Sequence, residues 1–173
     1  MKKLLTSIGV LTMLLSFGPG YNLHEGFYPI NRVFAETGAS VGKEMPVFNA
    51  TTLAGDNVQV GGSGTPYVLN FWASWCPPCR DEFPEINSFA NSHTDDLQYY
   101  GINIEESAAT VNKFLQNNGY NLPILLNSDG SIANQFRVRS LPTTIVVDAQ
   151  GIIRYRKTGE VTKKELDDVI ANL

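Results

Sequence analysis

Cysteine and histidine are both scarce in this sequence, which holds two of each in 173 residues. The cysteines, Cys76 and Cys79, stand three apart, so no further pair exists to staple the chain. Zinc would have to find its remaining ligands without a third cysteine, and past residue 35 the only histidine is His93. That residue falls in the polar stretch Asn91–Asp96, where a surface-loop position is expected. Basic charge is short as well: 13 Lys and Arg against 17 Asp and Glu give a net charge of −4. No basic face is on offer to a phosphate backbone, which excludes nucleic acid as a partner. There is no internal repeat and no low-complexity run. The length suits one domain preceded by a short processed or anchoring segment.

An apolar run of membrane-spanning length is also missing. After Met1-Lys2-Lys3, the run from Leu4 to Phe17 is 14 residues long. As a helix that reaches about 21 Å, against roughly 30 Å of hydrocarbon. A basic start, a short apolar stretch and small residues further on are the parts of an export signal. The expected cut follows Val33-Phe34-Ala35, and losing Lys2, Lys3, Arg32 and Glu25 with it takes the charge from −4 to −6. The alternative is an uncut segment that holds the domain at the outer face of a membrane. Residues 1–35 are therefore read as signal peptide or membrane anchor, and both readings place the rest outside the cytoplasm. Residues 36–43 read as a flexible lead-in and residues 44–173 as the domain proper.

Two short apolar runs between Met45 and Val60 flank the turn-rich Leu53–Asn57, a β-hairpin pattern. Tyr67–Trp72 is a nearly continuous apolar run of strand length, as in a strand buried on both faces. A helix from Cys76 to about Ala90 and a strand over Leu97–Ile104 complete a β-α-β unit with parallel strands. Ser107 can cap a helix bearing Val111, Phe114 and Leu115, Gly119 can end it, and Pro123–Leu126 is a short strand. Ile132 and Phe136 mark one more short helix. Thr143–Val147 and Gly151–Arg156 read as an antiparallel pair joined at Asp148–Gly151. Thr162-Lys163-Lys164-Glu165 is a capping-box pattern before a stripe of Leu166, Val169, Ile170 and Leu173. Arg154, Arg156 and Lys157 fit an edge strand guarded against pairing. The class is α/β: a mixed central sheet flanked by helices, with an N-terminal hairpin and an inserted helix-strand segment between Ser107 and Leu126.

The chemistry sits at Cys76-Pro77-Pro78-Cys79. A helix N-terminus favours negative charge and so favours a thiolate, which is the nucleophile of disulfide exchange. Pro77 is pre-set for the first helical position, and Pro78 removes another N–H near the sulfur. Cys79 faces the same side of the first turn and can attack a mixed disulfide formed on Cys76. Glu82, one turn on, could carry protons to or from the cysteines; otherwise it is a solvated helix residue beside Asp81 and Glu85. Haem attachment needs a histidine where Arg80 stands.

The stretch Asn70-Phe71-Trp72-Ala73-Ser74-Trp75-Cys76-Pro77-Pro78-Cys79-Arg80, with Glu82, Phe83 and Pro84 after it, resembles the thioredoxin superfamily. More closely it resembles the TlpA/ResA/StoA-type thiol-disulfide oxidoreductases of bacteria. The resemblance runs from about Val41 to Leu173 and includes Leu141-Pro142-Thr143-Thr144. It implies a thioredoxin-like fold, Cys76 as attacking thiol, Cys79 as resolving thiol and Pro142 as a cis-proline facing the disulfide. It further implies that Leu141 offers backbone to a substrate peptide bordered by Trp75 and Pro77. Cytosolic thioredoxins carry a buried Asp where this chain has Asn70, so another acid must serve, and Glu82 matches the family's acidic residue. No cofactor is implied. The expected activity is reduction of disulfides in exported proteins, such as apocytochrome c or spore-envelope proteins. A monomer would be kept reduced by a membrane electron donor of the CcdA kind. An oxidase or isomerase could use the same two sulfurs. A peroxidase would need a Pro-x-x-x-Thr-x-x-Cys setting, which is absent around Cys76.

Overall fold

Tyr67–Trp72 forms a strand in which every residue is buried, because apolar side chains go to both faces. In the computed structural model, which describes residues 36–173, this strand lies inside a seven-stranded sheet. The segment expected to be a signal or anchor, residues 1–35, lies outside the described residues. Among the described residues no helix is long and apolar enough to cross a membrane.

In chain order the elements are β1 (Phe48–Thr52), β2 (Asn57–Val60), β3 (Tyr67–Trp72), α1 (Pro77–Ser92), β4 (Gln98–Ile104) and α2 (Ala108–Asn118). They continue with β5 (Ile124–Asn127), α3 (Ser131–Gln135), β6 (Thr143–Val147), β7 (Ile153–Thr158) and α4 (Lys163–Ile170). The sheet order is β2-β1-β5-β4-β3-β6-β7. β3 runs parallel to β4, with Phe71 opposite Ile102, and antiparallel to β6, with Leu69 opposite Ile145. The expected hairpin is β1–β2, antiparallel with Phe48 opposite Val60, and it joins the sheet through β5. The inserted segment is α2 with β5.

Alternation along β3 feeds two cores. Val68 and Trp72 join Phe83, Ile86 and Phe89 of α1, Val111 of α2 and Leu166 of α4. Leu69 and Phe71 face the other way, towards Phe48, Ile132, Phe136 and Ile145. Trp72 and Phe83 pack with ring centroids 4.4 Å apart and planes tilted by 59°, which fastens α1 onto β3 beside its first turn. Asn70 shares the α1 side with Val68 and Trp72, so a polar group enters that apolar layer.

Three local outcomes depart from the sequence reading and one extends it. The lead-in is tied down: Gly42 donates to the Ile153 carbonyl, the Lys43 carbonyl accepts from the Ile153 N–H, and Ala39 is buried. The capping box is half built, because Thr162 Oγ1 accepts the Glu165 N–H while the Glu165 carboxylate goes to Lys157 and Tyr155. β7 is the edge strand expected, and its basic residues are also engaged by partners: Arg154 pairs with Asp148, Arg156 donates to the Ala39 carbonyl and Lys157 pairs with Glu165. His93 ends α1 with its ring held between Asp96 and Asp167, so it is a partly buried tie to α4.

Candidate active site

β3 delivers the chain to Ala73–Cys76, and there the sequence turns it into α1. Cys76 is the N-cap, with φ −84° and ψ 111°, and its N–H donates to the Ala73 carbonyl at 3.2 Å. Prolines occupy the first two helical positions, so the N–H groups that would surround a capping atom there are missing. The Cys79 N–H supplies the contact that remains, reaching Cys76 Sγ at 3.3 Å. The two sulfurs are joined as a disulfide with the Cα atoms 5.3 Å apart. Cys79 is fully buried, whereas Cys76 keeps 4% of its surface. Of the two cysteines, Cys76 is the one with surface left in contact with solvent.

The neighbouring strand completes the site. Thr143 at the start of β6 pairs with Phe71 near the end of β3, which brings the preceding Ser140–Pro142 loop to the cysteine turn. The Leu141–Pro142 peptide is cis. A groove of about 430 Å³ opens beside the disulfide, lined by Trp75, Cys76, Pro77, Leu141, Ile104 and Val138 among others. Trp75 is 62% exposed, a large apolar surface left in water at the mouth of this groove. Four of the residues singled out from the sequence thus line one groove, with Cys79, Glu82 and Pro142 buried behind them.

Glu82 is 2% exposed and does not face solvent. Its Oε1 accepts from Asn70 Nδ2 at 2.9 Å and its Oε2 accepts from the Val161 N–H at 2.9 Å. Burial pushes its pKa up to about 7, against the lowering effect of those two hydrogen bonds. The same Asn70 amide reaches Thr144 Oγ1 at 3.0 Å, and the Tyr99 hydroxyl donates to Asn70 Oδ1 at 3.4 Å. Asn70 therefore holds a buried acid that can be charged or neutral near physiological pH, one turn from Cys79 on the same helix face.

One residue of the site is not evident from the motif. Glu106, just past the end of β4, accepts from the Ser74 N–H at 2.7 Å, the Ser74 hydroxyl at 2.5 Å and Asn103 Nδ2 at 2.8 Å. Its only mark in the sequence is an acid lodged between a strand end and the helix cap Ser107.

The AhpC/TSA family matches residues 41–156 of the chain. The thioredoxin-like protein YneN of Bacillus subtilis is 32% identical over 163 residues, 92% of each chain. Sporulation thiol-disulfide oxidoreductase A of the same organism is 30% identical over 126 residues, 70% of this chain and 76% of the relative. The thiol-disulfide oxidoreductase ResA of B. subtilis is 28% identical over 170 residues, 96% of this chain and 91% of that one. The crystal structure of StoA from B. subtilis superposes with a TM-score of 0.65 at 29% identity, over 72% of this chain and 96% of that chain. With the Cys76–Cys79 disulfide at its helix N-terminus, the chain belongs to the AhpC/TSA family and is a thiol-disulfide oxidoreductase of the ResA/StoA type.

Proposed function

We propose that this protein reduces disulfides in exported proteins, outside the cytoplasm. In the dithiol form, the Cys76 thiolate attacks one sulfur of a substrate disulfide lying in the groove. That S–S bond breaks, a mixed disulfide forms, and the departing substrate sulfur takes a proton. Cys79 then gives up its proton, with Glu82 as the acceptor, and attacks Cys76 Sγ. The second substrate thiolate leaves and is protonated. Two electrons have passed to the substrate, and the protein is left in the Cys76–Cys79 form. A membrane dithiol donor of the CcdA kind returns it to the dithiol. Leu141 offers its backbone to the substrate chain, Pro142 backs the sulfur, and Trp75 and Pro77 border the contact. Apocytochrome c and spore-envelope proteins are the substrate classes the family likeness suggests, and the domain acts as a monomer.

The direction of electron flow rests on one observation: around Cys76 Sγ, two prolines leave the Cys79 N–H as the hydrogen-bond donor of the first turn. A thiolate with so little support is not strongly favoured, so the dithiol gives up its electrons readily. The couple should lie nearer the roughly −270 mV of thioredoxin than the roughly −120 mV of DsbA. Equilibration with dithiothreitol or glutathione buffers, followed by thiol counting, measures it. A potential above about −180 mV would overturn the reductase reading in favour of an oxidase or isomerase.

A further inference from the structure

We propose that Glu106 is the positioning residue for Cys76, a carboxylate clamp that fixes the turn carrying the sulfur to the end of β4. Its three contacts come from both sides of the central strand pair. Ser74 lies past Trp72, the last residue of β3 that pairs with β4, so its N–H has left the ladder and finds its acceptor in Glu106 Oε2. The Ser74 hydroxyl takes Oε1. Asn103, directly opposite Trp72 in the register, donates its amide to Oε2 and orients the carboxylate from the β4 side. Asn103 is fully buried, and its Oδ1 has no partner, so this side chain is committed to Glu106 at the cost of an unmet acceptor.

The backbone is bent to make the clamp. Glu105 adopts φ 57°, in the left-handed region that long side chains avoid, while its N–H bonds the Asn127 carbonyl. That single turned residue ends β4 and brings Glu106 back across to Ser74 instead of continuing along the strand. Strain of this kind persists where the surroundings over-determine it, often beside a working site.

The clamp matters most in the dithiol. There the covalent link from Cys76 to Cys79 is gone, and the turn Ala73–Cys76 keeps its place through Glu106 and through the Cys76–Ala73 hydrogen bond. Cys76 then stays at its N-cap station, aimed at the groove, whichever way electrons flow.

The test uses the reduced protein and two readouts, the pH dependence of Cys76 alkylation and kcat/KM for a cystine-containing peptide. Glu106→Ala should displace the alkylation profile and lower kcat/KM by about tenfold or more, since small misplacements of a reacting group carry costs of that order. Glu106→Gln should recover part of both, because one amide oxygen still accepts from Ser74. Ser74→Ala, which deletes only the hydroxyl arm, should move both readouts in the same direction by less. A folded Glu106→Ala protein with unchanged profile and kcat/KM overturns the proposal, even if its thermal stability has dropped. If Glu106→Ala does not fold, unchanged readouts in Ser74→Ala overturn it alone.

Discussion

The Val161 N–H and Glu82 Oε2 are joined by a 2.9 Å hydrogen bond, which places an ionisable group of the active-site helix in the seam leading to α4. A pKa of about 7 against an ordinary 4.5 means that the folded protein holds this proton over a pH range in which the unfolded chain has released it. The contribution of Glu82 to stability therefore falls as pH rises from about 4.5 to about 7 and levels off above. Glu82→Gln should remove that part of the decline, as urea unfolding at pH about 5 and about 7, compared with the unsubstituted protein, would show. The same substitution should erase an inflection near neutrality in the pH profile of disulfide exchange. Retention of both in Glu82→Gln would mean that Glu82 does not titrate in this range.

The unequal exposure of the two cysteines gives a second expectation. Brief alkylation of the reduced protein should label Cys76 well ahead of Cys79, as mass mapping would show. Cys79→Ser should accumulate mixed disulfides with natural substrates, because nothing remains to resolve them. Equal labelling, or no adducts from an otherwise active fold, would reverse the assigned roles.

His93 should make stability pH-dependent in its own way. Burial opposes its protonation, but hydrogen bonds to Asp167 at 3.0 Å and Asp96 at 3.1 Å outweigh this and raise its pKa above 6.5. A raised folded value means stabilisation that is fully present below about 6.5 and lost as pH climbs through the folded value. His93→Gln should consequently cost more stability at about pH 5.5 than at about pH 9. An equal cost at both would show that the tie between α1 and α4 works without charge.

Gly101 in β4 is a packing prediction. A methyl added there would come within 2.6 Å of Ile124 Cδ1 and 3.0 Å of Trp72 Nε1. Gly101→Ala should destabilise the domain by about 1–3 kcal/mol and alter Trp72 fluorescence. Denaturant unfolding with a change below about 0.5 kcal/mol would show that the layer between β4 and β5 yields easily.

Much of the architecture could be read from the chain because its signals were local. Tyr67–Trp72 declared a two-sided strand by having no polar face to spare, and Ser107 and Gly119 bracketed α2 as cap and left-handed stop. The Cys76–Cys79 spacing carried its own chemistry. What escaped was non-local. That Glu82 is buried follows from Asn70 on β3 and Val161 before α4, 12 and 79 residues away, and nothing in the helical pattern of α1 separates it from its exposed neighbours Asp81 and Glu85. Glu106 reaches Ser74 across 32 residues for the same reason. The ordering of the lead-in depends on Ile153 and Arg156 of β7, far along the chain, partners that a short polar segment does not announce.

That docking has a directional consequence. Cys76 follows the end of β3 at Trp72, whereas Tyr67, at the start of the strand, pairs with Val147 beside the β6–β7 turn. Residues 42–45 are fastened to that turn, and Glu36 is folded back against Glu44. Glu36 is thus placed at the end of β3 away from the disulfide. A pull on the chain at Glu36 bears on the β6–β7 turn rather than on the active-site helix.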